Sequence, residues 1–387
     1  MTDPGITLGI EEEFFLVDPG TRDVLADPDP AIFAACEEAA GPHRVVREAL
    51  RAQIETNTKV CGSVAELREA LKETRRVVIG TAERYGAAIM ASSTHPFAAW
   101  SHMDVTPKDR YRTFAAMLQG LLNRLMIGGM HIHAGFGNAD ERIRVMTAMR
   151  RYLPVFHALS ASSPFSDGHE TGFRSWRLAI FSGLPRVGIP GPLWSEEDYE
   201  NLLDEYRKMG FISDGSELWW DIRPSHSYPT IEMRICDVCT RIEDAVTIAA
   251  LYASLVRRLL RQAREGTLPD EPLTEIISEN RWIAQRYGVL AFFGNIEAAH
   301  GRLDIADATR DLIDDLADDA RALGCENEVR RATSIIDHGN GADRQVDLWR
   351  LCQLEGMDRM EAFRAVVDHV IRETRDGTGL SEPSGTR

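Results

Sequence analysis

The stretch Gly9-Ile10-Glu11-Glu12-Glu13-Phe14-Phe15-Leu16-Val17-Asp18 constrains this chain more than any other. Ile10 and the run from Phe14 to Val17 read as a β-strand, and Asp18-Pro19-Gly20 as the turn that ends it. Side chains alternate along a strand, so Glu11 and Glu13 share one face while Glu12 takes the other. Two carboxylates on one face of an apolar strand repel each other and resist burial. A cation offsets that, and a hard divalent metal with oxygen ligands is the usual candidate. An exposed edge strand with solvated glutamates satisfies the same spacing, so the rest of the chain has to decide.

From Asp29 to Ala40 the pattern is helical, with a break at Gly41-Pro42. Val45 to Val60 follows, and Ile54, Thr56, Thr58 and Val60 favour strand in its second half, with Glu55 inside and Glu48 just before. Ser63-Val64-Ala65-Glu66 is a capping box that opens a helix to about Arg84. Ala87 to Ala91 is a short buried strand, and Thr106-Pro107 starts a helix to about Met126. Gly128 to Phe136 is a glycine-flanked strand carrying His131 and His133, and Asn138 caps a helix that reaches roughly Ser160. The segment from Ser162 to Arg177 is rich in Ser, Gly, Asp and Arg and has no period, which makes it a candidate substrate loop.

Ser195 opens another helix, and Leu218–Arg223 with Thr230–Asp237 reads as a hairpin. Beyond Cys239 only helical periodicity remains, at Leu251–Leu260, Thr274–Tyr287, Asp304–Leu323 and Arg359–Ile371. The expected class is therefore α+β, with antiparallel strands covered by helices and a helical C-terminal third. No repeat or linker divides the chain. A single domain over residues 1–374 is expected, followed by a disordered tail over 375–387.

Composition narrows the function classes. A net charge of −16 argues against non-specific binding to nucleic acid or an anionic membrane. The N-terminus has neither a basic region nor an apolar core of the signal type, and no run is long enough to span a bilayer. The six cysteines are scattered without the rhythm of a disulfide framework, which suits a reducing cytoplasm.

The polar residues that sit awkwardly in strands are Glu11, Glu13, Glu55, His131, His133, Asp221, Arg223, Glu232 and Arg234. A strand that sets Glu and Arg side by side suits a metal–phosphate site, where the carboxylate takes the cation and the guanidinium takes phosphate oxygens. Any one such pair also fits a salt-bridge ladder in a half-exposed sheet; four strands carrying them are harder to explain that way. His131 and His133 on one face also fit two zinc ligands of a metal-dependent hydrolase, or one of them a satisfied core residue. Cys236 and Cys239 have no second pair to complete a zinc site and read as buried thiols. Trp219-Trp220 reads as core. Neither a P-loop nor a dinucleotide fingerprint nor a nucleophile elbow occurs.

Taken together these residues resemble the carboxylate-amine ligase family, in its short glutamate–cysteine ligase type 2 group. The blocks that carry the resemblance are Gly-Ile-Glu-Glu-Glu-Phe-Phe-Leu-Val at 9–17, Gly-Met-His-Ile-His-Ala-Gly-Phe at 129–136 and Ser-Pro-Phe-Ser-Asp-Gly at 163–168. Further blocks are Leu-Trp-Trp-Asp-Ile-Arg-Pro-Ser at 218–225, Thr-Ile-Glu-Met-Arg-Ile-Cys-Asp at 230–237, Glu-Asn-Arg-Trp at 279–282 and Gly-Asn-Gly-Ala-Asp-Arg-Gln at 339–345.

The resemblance implies an antiparallel sheet curved into a funnel, glutamine synthetase-like, that binds ATP and Mg. The implied reaction phosphorylates a carboxylate, typically the γ-carboxyl of glutamate, and an amine such as cysteine attacks the acyl phosphate. It also implies Glu11, Glu13, Glu55, His131 and Glu232 as magnesium ligands, Glu232 thereby serving catalysis as well, and Glu48 as a further acidic ligand. Glu48 and Glu55 are an odd number of residues apart, so a turn or bulge must intervene if they share a face. Arg234 is implied as the grip on the transferring phosphoryl group and Arg223 as a second contact to nucleotide, with Arg174 and Arg177 for substrate carboxylates. A homodimer is compatible with all this. Alternatives are the zinc-dependent hydrolase and a non-catalytic nucleotide-binding protein. The amine is not legible.

Overall fold

A computed structural model of the chain describes residues 5–102, 106, 118–296 and 298–381. Its centre is the strand β1, Thr7–Val17. Around it run β2 (Arg44–Arg47), β3 (Gln53–Asn57), β4 (Ala88–Met90), β5 (Met130–Gly135), β6 (Ile222–Pro224) and β7 (Thr230–Met233). They form one antiparallel sheet in the order β6-β7-β5-β1-β3-β2, and β4 pairs with the far end of β1.

Burial along β1 alternates. Leu8, Ile10, Glu12, Phe14 and Leu16 are buried on the back of the sheet, joined there by Ile54, Met130, Ile132, Ala134, Ile231 and Met233. Among the helices that cover that face are α1 (Val64–Arg84) and α2 (Ile242–Glu265). Burying a Phe or Leu side chain there contributes roughly 1.5–3 kcal/mol. On the front, Phe15 and Val17 are covered by Phe363, Val366, Val367 and Val370 of α3 (Arg359–Arg375). This leaves Glu11 and Glu13 as the part of the front face that the apolar packing does not seal.

Glu12 is the one charge on the apolar back face of β1. Its carboxylate meets Arg75 of α1 at 2.5 and 3.1 Å, and neither side chain is exposed. Arg75 also donates to the carbonyls of Thr240 and Cys239, so every oxygen in reach has a donor. A buried ion pair of this kind holds its place because removing either partner strands the other.

Several elements depart from the expectations. The Val45–Val60 segment is a hairpin, with the chain reversing between Arg47 and Gln53, and so supplies the turn that the Glu48–Glu55 spacing demanded. Ser63 does cap α1, but Glu66 reaches back to the amide of Gly62 rather than closing a box on Ser63. The helix expected from Asn138 to Ser160 is divided into Ala139–Met149 and Leu153–Ser160, because Pro154 has no amide to continue the ladder.

Trp219–Trp220 pairs in parallel with Val187–Gly188 and not with the β7 side, because the Asp221 carbonyl takes two amides, Arg234 and Ile235, at one bulged position. The segment 162–177 contains a small hairpin, Phe165–Ser166 with His169–Glu170. A second short pair, Phe292–Gly294 with Arg302–Asp304, lies in the C-terminal third where no strand was expected. Helices at Glu326–Arg330, Ala332–His338 and Gly341–Leu354 also lacked a readable period. Of the helix expected from Thr106 to Met126, most lies outside the described residues, and a short helix occupies Gly120–Arg124. Residues 382–387 of the tail lie outside them too, while the last helix runs on to Arg375.

Candidate active site

Cross-strand register assembles the site. Glu11 pairs with His131, Glu13 with Glu55, and Glu232 with His133, so all six side chains stand on the front face. They fall into two groups along it. Ligand atoms of Glu11, His133 and Glu232 lie within 4.8 Å of one another, and so do those of Glu13, Glu48 and Glu55. Glu48 joins the second group from the β2–β3 turn, where its carboxylate is also held by the amide of Ala49.

Electrostatics differ sharply between the two groups. Burial, and then the charge of Glu48, push the Glu13 carboxyl up to about 8, against the pull of Arg177, Arg234 and the Gly129 amide. Burial and the hydrogen bond and charge of Glu48 lift Glu55 well above the carboxylate range. Glu13 and Glu55, desolvated and short of positive charge, hold protons until a cation replaces them. Asn57, two residues along the same strand face, donates to Glu55.

The other group is neutralised internally. Burial raises Glu232, but the adjoining charges of Arg234 and Arg223 outweigh it and hold the carboxylate well below its usual range. Arg223 Nε donates to one oxygen at 2.9 Å, and Arg234 donates to the other. Glu11 is likewise held low: burial raises it, but the hydrogen bond from His131 and the close approach of His133 outweigh that. Burial and the nearby Arg234 depress His131 to about 4, so its ring is neutral at physiological pH.

His131 turns Nδ1 to Glu11 at 3.1 Å, and His133 turns Nδ1 to the Thr230 hydroxyl at 2.9 Å. The Nε2 atoms of both rings are buried without a hydrogen-bond partner. His133 Nε2 lies 3.4 Å from Glu11. An imidazole whose far nitrogen is fixed by a hydroxyl is how a metal-binding histidine is oriented. Carboxylates gathered with such nitrogens fit a hard divalent cation.

Of the remaining expected residues, Arg177 reaches the site and Arg174 does not. Arg177 is buried against Gly129, donates to the Arg234 carbonyl at 3.2 Å, and leaves its Nε without a partner. Arg174 is bound to Asp343 at 2.6 Å, away from both groups. Asp221 turns from the site to a buried pair with Arg281, so it does not act alongside Arg223. Cys236 and Cys239 are free, buried thiols, and Trp219 and Trp220 are core. Asn57 and Thr230 were missed; the period of two placed Asn57 beside Glu55, whereas nothing local marked Thr230 as the partner of His133.

The profile of the glutamate–cysteine ligase family 2 matches residues 7–369. The chain belongs to that family. A relative from Rhodospirillum rubrum is 43% identical over 380 residues, covering 97% of each chain, and its name, glutamate–cysteine ligase 2, is itself provisional. One from Jannaschia, provisionally so named as well, is 39% identical over 373 residues, covering 96% of this chain and 97% of its own.

Among solved structures, the glutamate–cysteine ligase of Francisella tularensis in complex with AMP aligns with a TM-score of 0.66 at 12% identity, over 96% of this chain and 89% of that one. A bifunctional glutathione synthetase from Pasteurella multocida gives a TM-score of 0.68 at 15% identity, over 95% of this chain and 52% of that one. At such identities the likeness is one of fold. This member of the glutamate–cysteine ligase family 2 is thus a carboxylate-amine ligase by family, and no helix among its described residues is long and apolar enough to cross a membrane.

Proposed function

We propose that this ligase uses ATP and Mg to activate the γ-carboxyl of glutamate and joins it to cysteine or another small amine. The observation that carries this is the pairing of two cation-ready groups, Glu11/His133/Glu232 and Glu13/Glu48/Glu55, with Arg223 and Arg234 on the same sheet face. His131 completes the first group through its contact with Glu11.

Bound magnesium would neutralise phosphate oxygens and hold the nucleotide in place. Glu232 keeps Arg234 extended over the face, where its guanidinium can meet the equatorial oxygens of a phosphoryl group in transfer. Arg223, fixed by Glu232 and by the carbonyls of Ser216 and Leu218, presents a second cation to nucleotide at the same edge. Arg177, with its free Nε, would take a carboxylate of the acid. The carboxylate oxygen attacks the γ-phosphorus and ADP leaves. The amine nitrogen then attacks the acyl carbon, phosphate departs, and the nitrogen loses a proton as the amide forms. No protein nucleophile takes part, in keeping with the absence of a nucleophile motif.

A zinc hydrolase built on His131 and His133 is less favoured, because carboxylates outnumber imidazoles in the two groups. The same reading makes residues 1–374 one catalytic unit, working in the cytoplasm on small molecules. The test is ADP release with ATP, magnesium and glutamate across a panel of amines that includes cysteine. Turnover lost in Glu232→Gln supports the reading; hydrolysis sustained by zinc without ATP would replace it.

A further inference from the structure

Asp237 is fully buried, lies three residues beyond Arg234, and has no role in the chemistry above. Its two oxygens gather both ends of the 162–177 segment. Oδ2 accepts the Ser162 amide at 2.9 Å and the Ser163 hydroxyl at 2.7 Å, and Oδ1 accepts the Ser175 hydroxyl at 2.9 Å. Ser163 and Ser175 are themselves bridged: the Ser163 amide donates to the Arg174 carbonyl, and the Trp176 amide to the Ser163 carbonyl.

The contact continues to the site. The Ser163 hydroxyl that donates to Asp237 also accepts the amide of Arg177 at 3.2 Å. Arg177 in turn donates to the carbonyl of Arg234 and packs on Gly129, whose backbone bridges to Asp237. One carboxylate therefore fixes where the segment begins, where it ends, and where Arg177 stands. Three hydrogen bonds to a desolvated carboxylate are stronger than three among neutral groups, which makes this anchor stiff.

We propose that Asp237 is the positioning residue that clamps both ends of the 162–177 segment and thereby holds Arg177 beside Arg234 for the acid substrate. The inference rests on the function proposed above for its catalytic consequence, but not for the clamp itself. A residue that acts through Arg177 must lose its influence once Arg177 is gone, whereas a residue that merely supports the fold keeps it.

Two measurements test this on the full-length protein. In steady-state kinetics, Ser163→Ala should raise KM for the acid about tenfold while kcat changes less than about twofold. In an Arg177→Met background the same substitution should change KM no further. An unchanged KM in Ser163→Ala, or a full additive effect in the double variant, overturns the proposal. The second measurement is hydrogen exchange on the free protein. In Asp237→Ala the amides of Ser162, Trp176 and Arg177 should exchange together and faster, with the amides of α2 still protected. Unchanged protection at those three amides overturns the clamp. Loss of protection throughout α2 also counts against it, since the carboxylate would then serve the whole fold. Should wild-type protein show no ATP-dependent turnover, the proposed function fails while the exchange experiment still decides the clamp.

Discussion

Glu12 and Arg75 form a fully buried ion pair directly behind the strand surface that carries Glu11 and Glu13. The pair fixes which glutamates of the run face forward. Arg75→Met would leave Glu12 without a counter-charge and the carbonyls of Thr240 and Cys239 without their donor. We expect a loss of about 3–5 kcal/mol in denaturant unfolding. Adding Glu12→Leu should recover part of it, not all, because the two carbonyls stay unpaired. Full recovery would mean that they matter little.

The protons on Glu13 and Glu55 give a pH dependence with a definite sign. Glu13 is pushed up to about 8 and Glu55 is also raised, so the cation-free folded state keeps protons that the unfolded chain has already released. Stability contributed by Glu13 is therefore fullest at acid pH, falls as pH rises through the ordinary carboxylate range toward about 8, and is flat above it, and the raised Glu55 carboxyl acts in the same direction. A divalent cation binding here must displace those protons. Titrating magnesium into the protein near neutral pH, in buffers of differing ionisation enthalpy, should show proton release. The release should disappear in the double variant Glu13→Gln/Glu55→Gln.

Arg234 is expected to act on the rate and not on the fold. Glu232 keeps Arg223 as a partner when Arg234 is removed, so no charge is stranded. Arg234→Ala should lower kcat by about 10³-fold with little change in the melting temperature. Arg234→Lys should rescue poorly, because an ammonium cannot span two oxygens as a planar fork does. Measured turnover near wild type in either variant would remove Arg234 from the chemistry.

Gly129 tests the space around Arg177. A methyl group there would collide with Nη2 and crowd Cζ of the guanidinium, which is buried and has little room to yield. Gly129→Ala should cost about 1–3 kcal/mol of stability by overpacking. It should also raise KM for the acid, read from initial rates, more than it lowers kcat. An equal fall in kcat alone would place Arg177 elsewhere in the cycle.

Much of the site was legible because strands have a period of two. That period alone separated Glu12 from Glu11 and Glu13 and set His131 with His133. The odd spacing between Glu48 and Glu55 called for a turn, and the β2–β3 hairpin provides it. What stayed hidden depends on contacts between distant segments. Arg174 looked as suitable for a substrate as Arg177, yet only packing decides that one faces Asp343 and the other Arg234. Asp237 carried no local mark, because its partners lie more than sixty positions earlier. The short pair at Phe292–Gly294 and Arg302–Asp304 was invisible for a simpler reason: three residues are too few to show a period.

The central strand of the sheet is also the first to be synthesised. The sheet then grows in order of increasing separation, β3 beside it early, β5 on its other side later, and β7, which pairs with β5 and carries Glu232 with Arg234 just beyond it, last of all. A nascent chain that stops short of β7 thus lacks Glu232 and Arg234 and has no strand to cover the free edge of β5. On the function proposed above such a product would be silent rather than half-active, and its exposed edge would make it a target for quality control. On that reading activity would report that translation has passed the whole sheet.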